Sequence, residues 1–394
     1  MWRHGFTGFK ASGTVAGLVL LLHIGWVSAD EPHYRTTHPD IALRNLDHQI
    51  EQVRRVVGAR PNDADAVGKL IDHLLNRVQF RGSYSDFDEA LAITEQLLQT
   101  LPDDPEAGLA RARILERLHR FDEANDLLDD VQARIDPSPP SRESRSWLQS
   151  IEQARIRITL ARGRPEAVID TLRRRASEGP GFGTLTQLAF ALEALGHIDE
   201  AERSYLAALE FWDQITPFPI AWMAFQRGEL HVGHDDARAA VHYQRALDYL
   251  PAYIAPRVHL AELRADSGDL DGAITLLTAI AGSSEDPEVD SRLAECLMAA
   301  GRREAATPAQ RHPLAFLDHI AEFWLGAGDD PEQAWIHAQR HLANGASDRA
   351  LGLAIDAAAA ARRPERCALL EQAAPRRGRN SGLDEQLDRH SHDC

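Results

Sequence analysis

Lysine is almost absent from this 394-residue chain: Lys10 and Lys69 are the only two, so arginine carries nearly all the positive charge. Aromatic residues make up 6% of the chain and β-branched runs are lacking, which argues against a sheet-based core. Three cysteines, Cys296, Cys367 and Cys394, are too few for a disulfide framework. Cys296 and Cys367 fall in helical stretches as small core residues, and Cys394 ends a polar tail as a free thiol. Also missing are a Gly-x-Ser-x-Gly elbow, a phosphate-cradling glycine loop, a Cys-x-x-Cys pair and a His-Glu-x-x-His segment. Neither catalysis nor a bound cofactor is therefore expected. Charge is one-sided, with 43 basic against 60 acidic residues and a formal net charge of −17. That balance speaks against nucleic acid or an anionic membrane as the main partner.

No acidic residue precedes Asp30, and Arg3 and Lys10 are the only Lys or Arg residues in that stretch. A mostly apolar run from Val15 to Val27 ends in Val27-Ser28-Ala29, a small-residue cleavage pattern. Residues 1–29 thus read as a secretory signal peptide, and the run is short for a membrane span. The expectation is an exported protein, periplasmic or else secreted, with no stable membrane insertion once the leader is cleaved.

What is present in quantity is alanine and leucine at helical spacing. The clearest stretch is residues 196–210, where Gly196 makes a turn and His197 or Asp199 caps a helix. Ala201, Tyr205, Ala208 and Leu209 then share one face. A helix this short cannot bury that face alone, and Leu185, Leu188, Ala189, Leu192 and Leu195 form a matching stripe just upstream. Small residues recur in the same context at Ala90, Ala124, Ala167, Ala201, Ala239, Ala273 and Ala306, in steps of 34, 43, 34, 38, 34 and 33 residues. Looser matches follow at Ala334 and Cys367. A second small residue stands twelve positions earlier at Ala112, Ala189, Ala261 and Ala294, with Arg155 in its place in one copy. Glycine stands five before the reference at Gly196, Gly268 and Gly301.

Period, small-residue pair, turn glycine and the closing prolines Pro102 and Pro251 together resemble the tetratricopeptide repeat. Phe87-Asp-Glu-Ala90 and Phe121-Asp-Glu-Ala124 are similar to the opening of that family's second helix, and His242 to Pro251 to its close. The resemblance implies an all-α solenoid of stacked helical hairpins coiled into a right-handed superhelix. Residues 30–60 would be an N-terminal segment and capping helix, and residues 61–374 an array of about eight hairpins. Irregularities are expected near 137–146, 211–222 and 303–313. Residues 375–394 read as a disordered polar tail.

The resemblance also implies that first helices line a concave groove. On that register Leu109, Arg113, Glu116, Glu152, Ile156, Thr186, Phe190, Glu193, Val258 and Glu262 face it. Charged and apolar positions together suit an extended peptide or a partner helix. The aromatic cluster with Trp212, Phe218 and Trp222 reads either as an interface hot spot or as filling beneath an irregular loop. His337 and His341 stand four apart on a helix, a spacing that lets two rings reach one metal ion, and His390, His392 and Cys394 offer soft ligands in the tail. Neither set supplies a full ligand shell. The expected function is a scaffold for a protein or peptide partner. A metal-handling accessory protein and a noncatalytic subunit of a cell-envelope enzyme complex are the alternatives.

Overall fold

The computed structural model describes residues 34–135, 141–301, 316–326, 328–378 and 380–390. Nineteen α-helices and no strand occur among them. The leader, residues 136–140, Ala306 and all of the irregular stretch near 303–313 lie outside the described residues.

A capping helix, α1 (Pro39–Ala59), packs on the first hairpin, α2 (Ala64–Arg81) with α3 (Ser85–Thr100). Four hairpins follow: α4 (Pro105–Arg117) with α5 (Phe121–Arg134), α6 (Arg142–Ala161) with α7 (Ile169–Glu178), α8 (Phe182–Ala194) with α9 (Ile198–Leu209), and α10 (Pro217–His231) with α11 (Asp236–Tyr249). Next come α12 (Ile254–Asp266) with α13 (Leu270–Ala281), and α14 (Pro287–Ala299), whose following segment is not described. The array closes with α15 (Leu317–Leu325) and α16 (Pro331–Asn344), then α17 (Asp348–Ala360) and α18 (Glu365–Ala373), and last α19 (Ser381–His390). The expected all-α solenoid of stacked hairpins is the observed architecture.

Close helix approach explains the small residues. Ala90, Ala124, Ala201, Ala239, Ala273 and Ala334 are all fully buried. In α9 and α11 the same triplet recurs, Ala201, Tyr205 and Ala208 against Ala239, Tyr243 and Ala246, with no exposed surface on any of the six. The approach is tightest where α10 meets α11: a Cβ on Gly228 would lie 2.3 Å from Cε1 of Tyr243. Ala167 breaks the expectation. It is exposed, because Pro165 starts a 3₁₀ turn there and Ile169 and Leu172 take over the buried face.

At six of the small positions the turn between helices has a left-handed residue five earlier. Gly196, Gly268 and Gly301 supply it with φ of 78°, 89° and 73°, and His119, Asp329 and Arg362 adopt it at 55°, 46° and 52°. His197 occupies the N-cap position of α9, yet neither it nor Asp199 makes a side-chain cap bond there.

Among the described residues, α2 touches α4, α4 touches α6, α6 touches α8, α12 touches α14 and α15 touches α17, while successive second helices make no comparable contact. First helices therefore form the inner layer of a coil. That coil is tight enough to meet itself. The turn after α2 packs on the start of α14: the Glu285 N–H donates to Gly82 O at 2.9 Å, and the Ser85 hydroxyl to Glu285 Oε1 at 3.1 Å. Phe80 lies 5.0 Å from Phe218 and 4.9 Å from Tyr253 between ring centroids.

The tail departs from the expected disorder. In α19, Leu383 and Leu387 stand four apart and are buried, and α19 packs on α17. Asn380 Oδ1 accepts from the Leu383 N–H at 3.0 Å, and His390 meets Asp356 at 2.8 Å. Cys367 is disulfide-bonded rather than a buried core thiol, whereas Cys296 is free and buried. His392 and Cys394 lie outside the described residues.

Candidate binding face on the inner helices

The apolar positions assigned to the groove turn inward to the hairpin cores. Leu109 is buried with Phe121, Ala124 and Leu128, Val258 with Ala273 and Leu277, and Ile156 with Leu160 and Leu172. A first helix packs against its own second helix and its neighbours over a wide arc, so part of the presumed groove register is core. Thr186 is buried, with its hydroxyl donating to Phe182 O at 2.6 Å. Phe190 sits half-buried, edge-on to Tyr205 and Trp222 at 6.0 and 5.6 Å. Trp212, Phe218 and Trp222 are likewise half-buried, packed against Phe182, Phe80 and Phe190.

Charged positions behave differently in the two halves. In the N-terminal half acids and arginines match closely. Arg113 Nη1 lies 2.9 Å from Asp72, Glu116 takes a two-pronged bond from Arg157 at 2.6 and 2.8 Å, and Glu152 pairs with Arg175.

From α8 onward the inner helices carry a buried polar column with more acid than base. Glu193 accepts from the Tyr205 hydroxyl at 3.1 Å. Glu229 Oε1 accepts from Tyr243 at 2.5 Å and lies 3.3 Å from His259 Nδ1, which is 3.2 Å from Glu262. Arg292 then meets four carboxylates: Glu262 at 2.6 Å, Glu322 at 2.8 Å, Glu295 at 3.0 Å and Glu288 at 4.0 Å. His319 Nδ1 lies 3.4 Å from Glu288, and Arg349 reaches Glu322 at 2.6 Å and Asp318 at 3.3 Å. Glu229, Glu288, Glu295, Asp318, Glu322, Arg292, His319 and Arg349 are members that the sequence reading missed.

Burial dominates the titration of this column. It pushes Glu229 up to about 8 despite the Tyr243 hydrogen bond, and Glu262 to about 7 despite Arg292. Asp286, beside Tyr84 at the rim, rises to about 6 for the same reason. For Glu322, burial is overcome by Arg349 and Arg292, which hold it down at about 2. His319 is pushed down by burial but raised further by Asp318 and Glu288, to about 9, so it is a cation at neutral pH.

The histidine pair of α16 gains no third ligand. Among the described residues, the one group of His, Cys, Asp and Glu side chains close enough to share an ion is Glu202, His231 and His242, which excludes His337 and His341.

A family profile described as "Tetratricopeptide repeat" matches residues 83–140, which span α3 to α5. That stretch is similar to a tetratricopeptide repeat. No curated protein matches it. Among solved structures, the APC/C hetero-tetramer Cut9-Hcn1 is similar at 14% identity and a TM-score of 0.45, over 90% of this chain and 60% of that one. The P58(IPK) TPR domain is similar at 14% identity and a TM-score of 0.29, over 89% of this chain and 94% of that one. The chain thus spans three-fifths of the length of the first of these.

Proposed function

We propose that this chain is an exported scaffold that holds a partner segment rich in arginine or lysine along its inner face. The observation that carries the reading is the sharing of Arg292 among four carboxylates, in a column whose further acids are raised by burial. Acids that burial holds protonated would ionise beside a guanidinium or ammonium group, which makes a cationic partner segment the favoured occupant. Repeat arrays present long continuous surfaces to other chains, which suits an extended segment. Export is supported by the leader-like residues 1–29.

Fluorescence titration of the purified mature chain with an arginine-rich and a glutamate-rich peptide of equal length tests the partner chemistry. The arginine peptide should bind, weaken as salt rises, and weaken again in Glu262→Gln/Glu295→Gln. Equal binding of both peptides, or no change in the double variant, would sink the reading. Crosslinking in the native envelope with mass spectrometry then identifies the partner.

A further inference from the structure

Outside the inner column, α9, α10 and α11 bring Glu202, His231 and His242 together in the interior. All three are buried, and one ligand atom from each lies within 4.8 Å of the others. His231 Nε2 is 3.8 Å from Glu202 Oε2, and the two imidazoles stack with centroids 5.6 Å apart and planes 16° from parallel. Buried polar atoms ordinarily have hydrogen-bond partners. Here neither nitrogen of His242 has one, nor does Nε2 of His231, and His242 is only 1% exposed.

We propose that Glu202, His231 and His242 form a site for one divalent transition-metal ion with a zinc-like preference for imidazole. Two imidazoles and one carboxylate are a common donor set for such an ion, with the remaining position left to water or a partner group. The carboxylate is fixed in place: Arg227 and Arg238 donate to Oε1 at 2.6 and 3.0 Å, and Arg227 Nε lies 3.2 Å from Oε2. Outer groups of this kind orient a ligand. They also repel a second cation, so hard ions held only by oxygen are disfavoured and the affinity is expected to fall below that of a closed structural zinc site.

The test is titration of the full mature chain, stripped by a chelator and dialysed, with Zn²⁺ by calorimetry and with Co²⁺ by visible absorption. The expected result is a single ion per chain and a higher melting temperature with the ion bound. His231→Gln/His242→Gln should weaken uptake by about a hundredfold or more, while His337→Gln/His341→Gln leaves it unchanged. Should the first double variant fail to fold by circular dichroism, NMR of the Co²⁺-loaded natural chain decides, through paramagnetically shifted imidazole resonances from two buried histidines. No uptake, uptake untouched by the His231/His242 variant, uptake lost in the His337/His341 variant, or no shifted buried imidazoles would each overturn the assignment.

Discussion

Arg292 and Glu262, on neighbouring first helices, stand 2.6 Å apart with both side chains almost wholly shielded from solvent. The same guanidinium reaches Glu322, Glu295 and Glu288, so one cation ties α12, α14 and α15 together. Removing it would strand several carboxylates in a poorly solvated interior. Arg292→Met is expected to cost about 3–5 kcal/mol in a denaturant titration, far more than loss of the exposed Lys69–Asp65 pair. Equal effects of the two changes would show that the column is not a structural tie.

Stability should fall as pH rises from about 6.5 to about 9. Glu229 has a folded value of about 8 against 4.5 unfolded, so between those two values the native state holds a proton that the unfolded chain has released. His319 acts in the same sense between 6.5 and about 9. Each proton so linked removes about 1.4 kcal/mol per pH unit. Below pH 6.5 His242, lowered to about 3, opposes Glu229 by favouring the unfolded state, and below 4.5, where the Glu229 contribution ends, Glu322 joins it and the sign reverses. Thermal melts from pH 4 to 9 should show a maximum near mild acidity, and Glu229→Gln should flatten the alkaline limb.

Gly228→Ala should destabilise the α10–α11 hairpin although alanine is the better helix former. The propensity gain is about 1 kcal/mol, but the new methyl would meet the buried Tyr243 ring at 2.3 Å, an overpacking cost of about 1–3 kcal/mol. A lowered melting temperature is expected, with Tyr243→Phe unable to rescue it because the ring carbons are the obstacle.

Gly163→Ala tests the contact between distant turns. Its φ is +70°, and a Cβ there would come within 2.7 Å of the Ala346 and Ser347 backbone. A methyl that close to unyielding backbone should push the two turns apart. We expect a loss of about 2 kcal/mol or more and a larger radius of gyration by small-angle scattering, whereas Gly268→Ala, with open space at its Cβ, should lower stability without swelling the molecule.

Most of the architecture was legible because hairpin packing restricts a few positions to small side chains. Ala201 and Ala239 declare themselves by size and period alone. Ala167 matched the same period and failed, since Pro165 redirected the local backbone into a 3₁₀ turn that small-residue counting cannot see. Part of the acidic column could have been read: Glu229, Glu262 and Glu295 stand 33 residues apart, close to the repeat itself. Their acid-over-base excess could not, because it depends on which arginines reach inward, and arginines occur on every face. The Glu202, His231 and His242 group left no periodic trace. Its members come from three successive helices at unrelated spacings, and only the crossing of α9, α10 and α11 unites them.

The meeting of Gly82 and Ser85 with Glu285, two hundred residues on, has a consequence for how the molecule comes apart. A linear stack can fray from an end one unit at a time, because each unit answers only to its neighbours. Once the first turn of the spiral leans on the second, the N-terminal units cannot peel away without tearing contacts at Glu285, far along the chain. Such an array should melt in fewer, broader blocks than its unit count suggests, and it should form slowly, since its latching contacts must wait until most of the spiral exists.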